Sequence, residues 1–308
     1  MIQIDEKNKK IIAPKNFKKS IQQNPKIILD TIYLASISNV RIDFKDIEMM
    51  NSLSTYLEEI SNEDLRIELL KILSVTNIMY AIELLRKVNF FRQIIPEVQD
   101  LVECQQDILH HPEGTVYTHT LLLLYHLKPD PLLRLAGLFH DIGKPLDYKE
   151  IDGRITTHGH DKTGVKVAKV ILEELNFERK DIEYVLWLIE NHMQIKKIKE
   201  MRASKVRKLM QHKYFDDLVI LAKADCNATS GYPFRNEWLN IIEDYKKKFE
   251  EEDMKPIPIL NGRDLLEIGI TPSKNFGKIL SEVYNKQLEG SFISKSEARK
   301  YVVQKFIK

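Results

Sequence analysis

Six residues have the types to hold a divalent cation without any thiolate: His119, His140, Asp141, His160, His192 and Asp225. His140 and Asp141 are the strongest pair. They end a stretch in which Leu132, Leu133, Leu135, Ala136, Leu138, Phe139 and Ile142 leave no polar face. Such a stretch reads as a helix buried on nearly all sides. An imidazole and a carboxylate buried together each need a partner, and one cation satisfies both. Gly143 is expected to close the helix, and Lys144 to offer an ammonium to a phosphate oxygen beside the metal.

The other candidates are weaker one by one. His119 opens the almost wholly apolar THTLLLLYHL, where a satisfied core histidine is the plain alternative. His126, two turns along the same face, reads as structural. Asp225 lies near the C-terminal end of DDLVILAKAD, where the helix dipole disfavours a carboxylate and a nearby cation would relieve it. His160 starts an amphipathic helix, and His192 ends one on the face of Val185, Leu188 and Ile189. His158 is a supporting group or a loop histidine. His110 and His111 precede Pro112 in a loop suited to meeting substrate, and His212, in a basic helix, reads as exposed. Nitrogen and oxygen ligands of this kind suit Mn, Mg, Ni, Fe, Co or Zn, as one ion or as two bridged by Asp141. Two such ions can hold a hydroxide and clamp both oxygens of an in-line displacement at phosphorus.

Helices must position these groups. Apolar periodicity predicts them at the stretch from Lys26, at 44–60, after Ser61 as N-cap of SNEDLRIELLKILS, and at 78–88. Further helices are predicted at 117–127, 132–142, 161–175, 180–192, 204–212 and 215–227, with two short helices and SKSEARKYVVQKFI in the tail from Pro256. The first 25 residues are lysine-rich and weakly periodic, and the alternation at 153–156 is too short to count as a strand. The expected fold class is all-α. Boundaries fall near Leu101 and at Gly231, Pro233 and the charged run 246–253.

Composition narrows the function classes. Of 308 residues, 43% are hydrophobic and 30% charged, which describes a globular protein and not a disordered one. A formal charge of +2 gives no global polybasic signal for nucleic acid, so any basic patch is local. Cys104 and Cys226 form no CxxC, which argues against a disulfide framework or thiolate zinc site. The polar N-terminus lacks a signal-peptide core and no run reaches membrane-span length, so a cytoplasmic protein is the expectation.

The order His119, His140-Asp141, Asp225 resembles the HD superfamily of metal-dependent phosphohydrolases, with FHDIGK as the central motif. More narrowly, HHPEGTVYTHTLLLL, LRLAGLFHDIGKP, GRITTHGHDKTG and KADCNATSG look like the HD domain of bacterial CCA-adding tRNA nucleotidyltransferases and poly(A) polymerases. Residues 256–308 resemble the tail of those enzymes, and the stretch from VRIDFKDIEMM to AIELLRKVNFFRQIIPEV resembles their helical neck and body. The resemblance implies a neck/body-like part at 1–100, an HD domain at 101–232 and a helical tail at 233–308. It also implies His119, His140, Asp141 and Asp225 as core metal ligands, with His160 and Gly164 matching an HxxxG element. His192 stands where a further ligand is expected, although Asn191 replaces the first histidine of the usual pair.

The catalytic head of those polymerases has no counterpart before Pro14, and their nucleotide-reading Glu-Asp pair and arginine stand here as Gln23, Asn24 and Ile27. Nucleotide addition by this chain is therefore not expected. What the resemblance implies is hydrolysis of a phosphoester, with 2′,3′-cyclic nucleotides or RNA ends leading. Asp141 would orient hydroxide, Lys144 would hold a non-bridging oxygen, and His111 or His158 would protonate the leaving group. The competing expectation is a tRNA- or RNA-binding protein without catalysis, carried by Lys196, Lys197, Lys199, Arg202, Lys205, Arg207 and Lys208. A solvated helix face is the plain alternative for that stretch. Neither membrane nor DNA is an expected partner.

Overall fold

The computed structural model describes residues 2–229, 237–251, 256–292 and 294–307. Helices dominate, in keeping with the 3.6-residue apolar periodicity, and the fold is all-α. Among the described residues the strands form only two short antiparallel hairpins, Gln3–Asp5 with Lys10–Ile12 and Lys149–Ile151 with Arg154–Thr156. Both escaped the periodicity reading because three residues carry almost no alternation. The second is closed by Asp152 and Gly153, both with positive φ, as a tight hairpin turn requires.

Two compact units make up the chain, residues 1–195 with 216–235 and residues 196–215 with 236–308. The boundary expected at Gly231 and Pro233 lies outside the described residues, as does Asp253 at the end of the charged run. In the first unit, helices Lys26–Ile37, Asn62–Leu73 and Ile78–Lys87 pack on one another. Asn62–Leu73 also packs against helix Pro131–Phe139, and Ile78–Lys87 against helix Val116–His126. Ser61 caps as expected, accepting from the amide of Asp64 at 3.1 Å. The stretch 44–60 is not one helix but Phe44–Ser52 followed by a 3₁₀ helix, Ser54–Glu59. At the break, the Ser52 hydroxyl donates to the carbonyl of Met49 at 2.8 Å, a local bond that competes with helix continuation.

The predicted apolar helix starts at Pro131, with Asp130 as N-cap accepting from Leu133 at 3.0 Å, and stops at Phe139. Its one polar member is buried Arg134, whose guanidinium donates to the carbonyls of Leu73, Val75 and Leu127 at 2.8, 2.6 and 2.9 Å. Those carbonyls lie at or just past helix ends, where the helix supplies no partner of its own.

Gly143 does not close this helix. Its φ is −81°, outside the left-handed region, and it precedes the short helix Lys144–Asp147. Glycine is needed there for close approach: a β-carbon would sit 2.5 Å from the amide nitrogen of Gly164 and closer still to the carbonyl oxygen of His160. The turn 140–143 is thus pressed onto the first turn of helix His160–Glu174.

The second unit contains helices Ala203–Met210, Glu237–Glu251, Gly262–Glu267, Phe276–Leu288 and Lys295–Phe306. Leu260, Leu265, Ile279, Val283, Ala298 and Val302 form a core within it. Capping boxes at Asn261/Asp264 and Ser294/Glu297 start two of its helices. No helix among the described residues is long and apolar enough to cross a membrane.

Candidate metal centre

Five separated elements deliver the histidines and carboxylates to one buried place. His119 projects from the second turn of helix Val116–His126, His140 and Asp141 follow helix Pro131–Phe139, and His160 starts helix His160–Glu174. His192 lies in helix Arg179–Lys196, and Asp225 in the last turn of helix Phe215–Ala228. All six side chains are buried. Gly159, at φ 95°, makes the turn that admits His160 to its helix.

The side chains fall into two triads with metal-ligand spacing, His119–His140–Asp225 and Asp141–His160–His192. Asp141 faces both. Its Oδ2 is 3.1 Å from His140 Nε2, and its Oδ1 lies 3.2 Å from His160 Nε2 and 3.8 Å from His192 Nε2. In the first triad, His119 Nε2 is 3.1 Å from Asp225 Oδ1.

Three of the histidines are oriented by one device. Nδ1 of His140, His160 and His192 donates to the carbonyl three residues earlier, in Gly137, Thr157 and Ile189, at 2.8, 2.8 and 2.6 Å. A proton fixed on Nδ1 leaves the lone pair on Nε2, the tautomer a metal takes. The Nε2 atoms of His160 and His192 then face each other at 3.4 Å, and His140 Nε2 is buried without a hydrogen-bond partner. Buried polar atoms in that state fit a cation between them.

Charge follows the same pattern. Burial opposes ionisation of Asp141, yet His140 and Lys144 hold its carboxyl well below the usual range. Burial presses His192 down to about 3. Burial also works against protonation of His119 and His160, but the carboxylates of Asp225 and Glu113 raise the first and Asp141 raises the second.

Lys144 is buried, with its ammonium 2.7 Å from Asp141 Oδ2 and donating to Gln106 Oε1 at 2.6 Å. The His111 ring stands edge-on to that of His119, with centroids 5.0 Å apart. Between them is Glu113, a group the sequence reading missed. Its Oε1 accepts from His111 Nδ1 at 2.9 Å and from His119 Nδ1 at 2.7 Å. Burial alone would raise this carboxyl, but the two bonds hold it down to about 2. Its position six residues before His119, at the mouth of an apolar helix, was the available signal. Gln106 carried none.

Not every candidate joins the cluster. His158 is exposed in the turn before His160, outside both triads. His110 and His126 are exposed and His212 half-buried. Asn191 is turned back on its own helix, donating to the Trp187 carbonyl at 2.8 Å. In the basic stretch Lys197, Lys199, Arg202, Lys205 and Lys208 are exposed and Lys196 is half-buried. Arg207 is not on that exposed face: its guanidinium lies 4.3 Å from the centre of the Phe249 ring and the residue is 4% exposed. On an amphipathic helix its register matched the apolar face of Val206 and Met210.

Comparison with known proteins places this geometry. Residues 108–226 match the HD domain, and residues 39–101 match the probable RNA and SrmB-binding site of polymerase A. The CC-adding tRNA nucleotidyltransferase of Thermus thermophilus is 30% identical over 252 residues, covering 79% of this chain and 56% of that protein. The A-adding tRNA nucleotidyltransferase of Deinococcus radiodurans is 28% identical, covering 68% of this chain and 50% of that one. The chain thus spans about half the length of these curated relatives. Among solved structures, a CCA-adding enzyme with CTP superposes with a TM-score of 0.52 at 16% identity, over 94% of this chain and 62% of that one. The Thermotoga maritima CCA-adding enzyme in complex with tRNA gives 0.50 at 16% identity, over 97% and 64%. HD domains bind divalent metals, and the two triads here could hold them.

Proposed function

We propose that this chain, which carries an HD domain at residues 108–226 behind a polymerase-A-like RNA-binding segment at 39–101, is a metal-dependent phosphohydrolase. The substrate class is a phosphoester such as a 2′,3′-cyclic nucleotide or an RNA end. The observation carrying this reading is the convergence of three Nε2 lone pairs on Asp141, each set by a carbonyl bond to Nδ1. One or two divalent ions, of Mn, Mg, Ni, Fe, Co or Zn, would be held by His119, His140, Asp141, His160, His192 and Asp225. When bound, such an ion supplies Lewis acidity to water and to phosphoryl oxygens.

The chain's own groups do the rest. Asp141, with one oxygen toward each triad, orients the water. Lys144 has three donors and uses two, on Asp141 and Gln106, leaving one for a non-bridging phosphate oxygen. His111, half-buried beside His119, is better placed than exposed His158 to take a proton from the attacking water on Nε2 and return it to the leaving oxygen; burial lowers its affinity for that proton and the bond to Glu113 works the other way. Nucleotide addition is outside this reading, because the base-reading positions are Gln23, Asn24 and Ile27. The reading carries with it a cytoplasmic setting and a division into neck/body, HD domain and tail at 1–100, 101–232 and 233–308.

Hydrolysis of 2′,3′-cyclic AMP by the purified protein, with added Mn²⁺ or Ni²⁺ and beside an EDTA-treated sample, tests it. Metal-dependent turnover supports the phosphodiesterase reading. Absence of turnover with any of the metals moves the RNA-binding reading to first place, which the 39–101 match and the exposed lysines favour. Asp141→Ala is expected to abolish turnover while helical circular dichroism persists; retained turnover sinks the assignment.

A further inference from the structure

His119 differs from the other three histidines in having no free carbonyl to anchor it. The carbonyl three residues back, in Val116, already accepts from the Thr120 hydroxyl at 2.9 Å. Its Nδ1 turns instead to Glu113. That carboxylate is 2% exposed, and its second oxygen is buried without a hydrogen-bond partner. One oxygen therefore serves two imidazoles, His119 and His111, in a turn made possible by Gly114 at φ 99°. An ionised carboxylate only accepts, so each Nδ1 carries hydrogen where it meets Glu113; at His119 that contact, 2.7 Å against 3.1 Å from Nε2 to Asp225, is the shorter of two that compete for the ring's proton.

We infer that Glu113 is a positioning residue that sets the tautomers of His119 and His111 together, turning His119 Nε2 toward a metal and leaving His111 Nε2 for the substrate. The inference rests on the metal-centre reading. Its physical content lies in what Glu113 prevents. With Glu113 removed, the remaining acceptor beside the His119 ring is Asp225 Oδ1, 3.1 Å from Nε2. A proton drawn there occupies the lone pair that would bind the cation. His111 would lose the bond that fixes its ring edge-on to His119 in the same step. Metal ligation and the proton-carrying histidine are thereby tied to one side chain, and a negatively charged partner makes His119 a stronger ligand than a neutral carbonyl would.

The test compares the wild-type protein with Glu113→Ala and Glu113→Gln in two measurements. Long-range ¹H–¹⁵N correlation spectra of the metal-free protein report which ring nitrogen of His119 and His111 is protonated. Calorimetric titration with Zn²⁺ reports metal affinity. Wild type should show both rings protonated at Nδ1. In Glu113→Ala the His119 proton should move to Nε2 and Zn²⁺ affinity fall by about 10–100-fold. Glu113→Gln keeps an accepting oxygen, so it should retain the Nδ1 proton and lose less affinity than Glu113→Ala.

A Glu113→Ala protein with His119 still protonated at Nδ1, or with Zn²⁺ affinity within about twofold of wild type, overturns the inference. If that variant fails to fold, Glu113→Asp replaces it: a carboxylate one methylene shorter cannot hold both rings, and unchanged tautomers overturn the inference equally. Wild-type protein that binds no Zn²⁺ defeats the metal-centre reading instead, while the spectra still decide what Glu113 does to the two rings.

Discussion

A cation must compete with protons for His119 and His160, which it does not have to do at His192. The carboxylates around the first two raise their affinity for a proton, and burial keeps His192 neutral down to about 3. Where Nε2 of His119 or His160 carries a proton, metal binding displaces it. With both pKa values raised above the ordinary 6.5, affinity should climb as pH rises through and beyond that value, and His192 should add no slope there. Calorimetric titrations in buffers of different ionisation enthalpy should show net proton release near neutral pH; a buffer-independent heat would contradict the assignment. At this scale the sequence exposed residue types well. Buried His and Asp in apolar helices stand out because such placement is costly without partners. Glu113 did not, since an acid in a loop has no period to violate and only its place six residues before His119 marks it, and the burial of Arg207 was hidden because a cation counted by charge alone looks like surface.

Helix interiors were legible from their periodicity, and the junctions between them were not, because junctions are decided by contacts distant in sequence. Arg134 is the clearest case. Inside a run that reads as purely apolar, it bonds carbonyls of Leu73, Val75 and Leu127, tying helix Pro131–Phe139 to the end of helix Asn62–Leu73. Arg134→Met should keep the volume but leave three carbonyls without their donor, costing on the order of 3 kcal/mol in a denaturant titration. A cost below about 1 kcal/mol would mean that water or neighbouring amides replace the guanidinium. Gly143 is a second junction read wrongly, as a cap where the structure has a backbone contact with His160 and Gly164. Gly143→Ala should force the two turns apart, destabilising by about 1–3 kcal/mol and weakening metal binding more than it lowers stability at remote positions. Hydrogen exchange across 140–164 would locate the loosening.

Across the whole molecule, composition separated a globular chain from a fibrous or membrane one but could not find the two compact units, since residues 196–215 join the later segment across a gap in sequence. The exposed Lys197, Lys199, Arg202, Lys205 and Lys208 all lie in that segment. If they contact RNA phosphates, changing the five to alanine should reduce the slope of log affinity for tRNA against log salt by about 3–4, at roughly 0.7 per contact. An unchanged slope assigns them to solvent. The carbonyl anchors of His140, His160 and His192 carry one further consequence for the molecule as a whole. Ring rotation is already forfeited during folding, so loading an ion orders little that is mobile. Chelation should therefore strip the protein without unfolding it, and occupancy should follow which ion the surroundings supply, with repeated removal and reloading leaving the helices as they were.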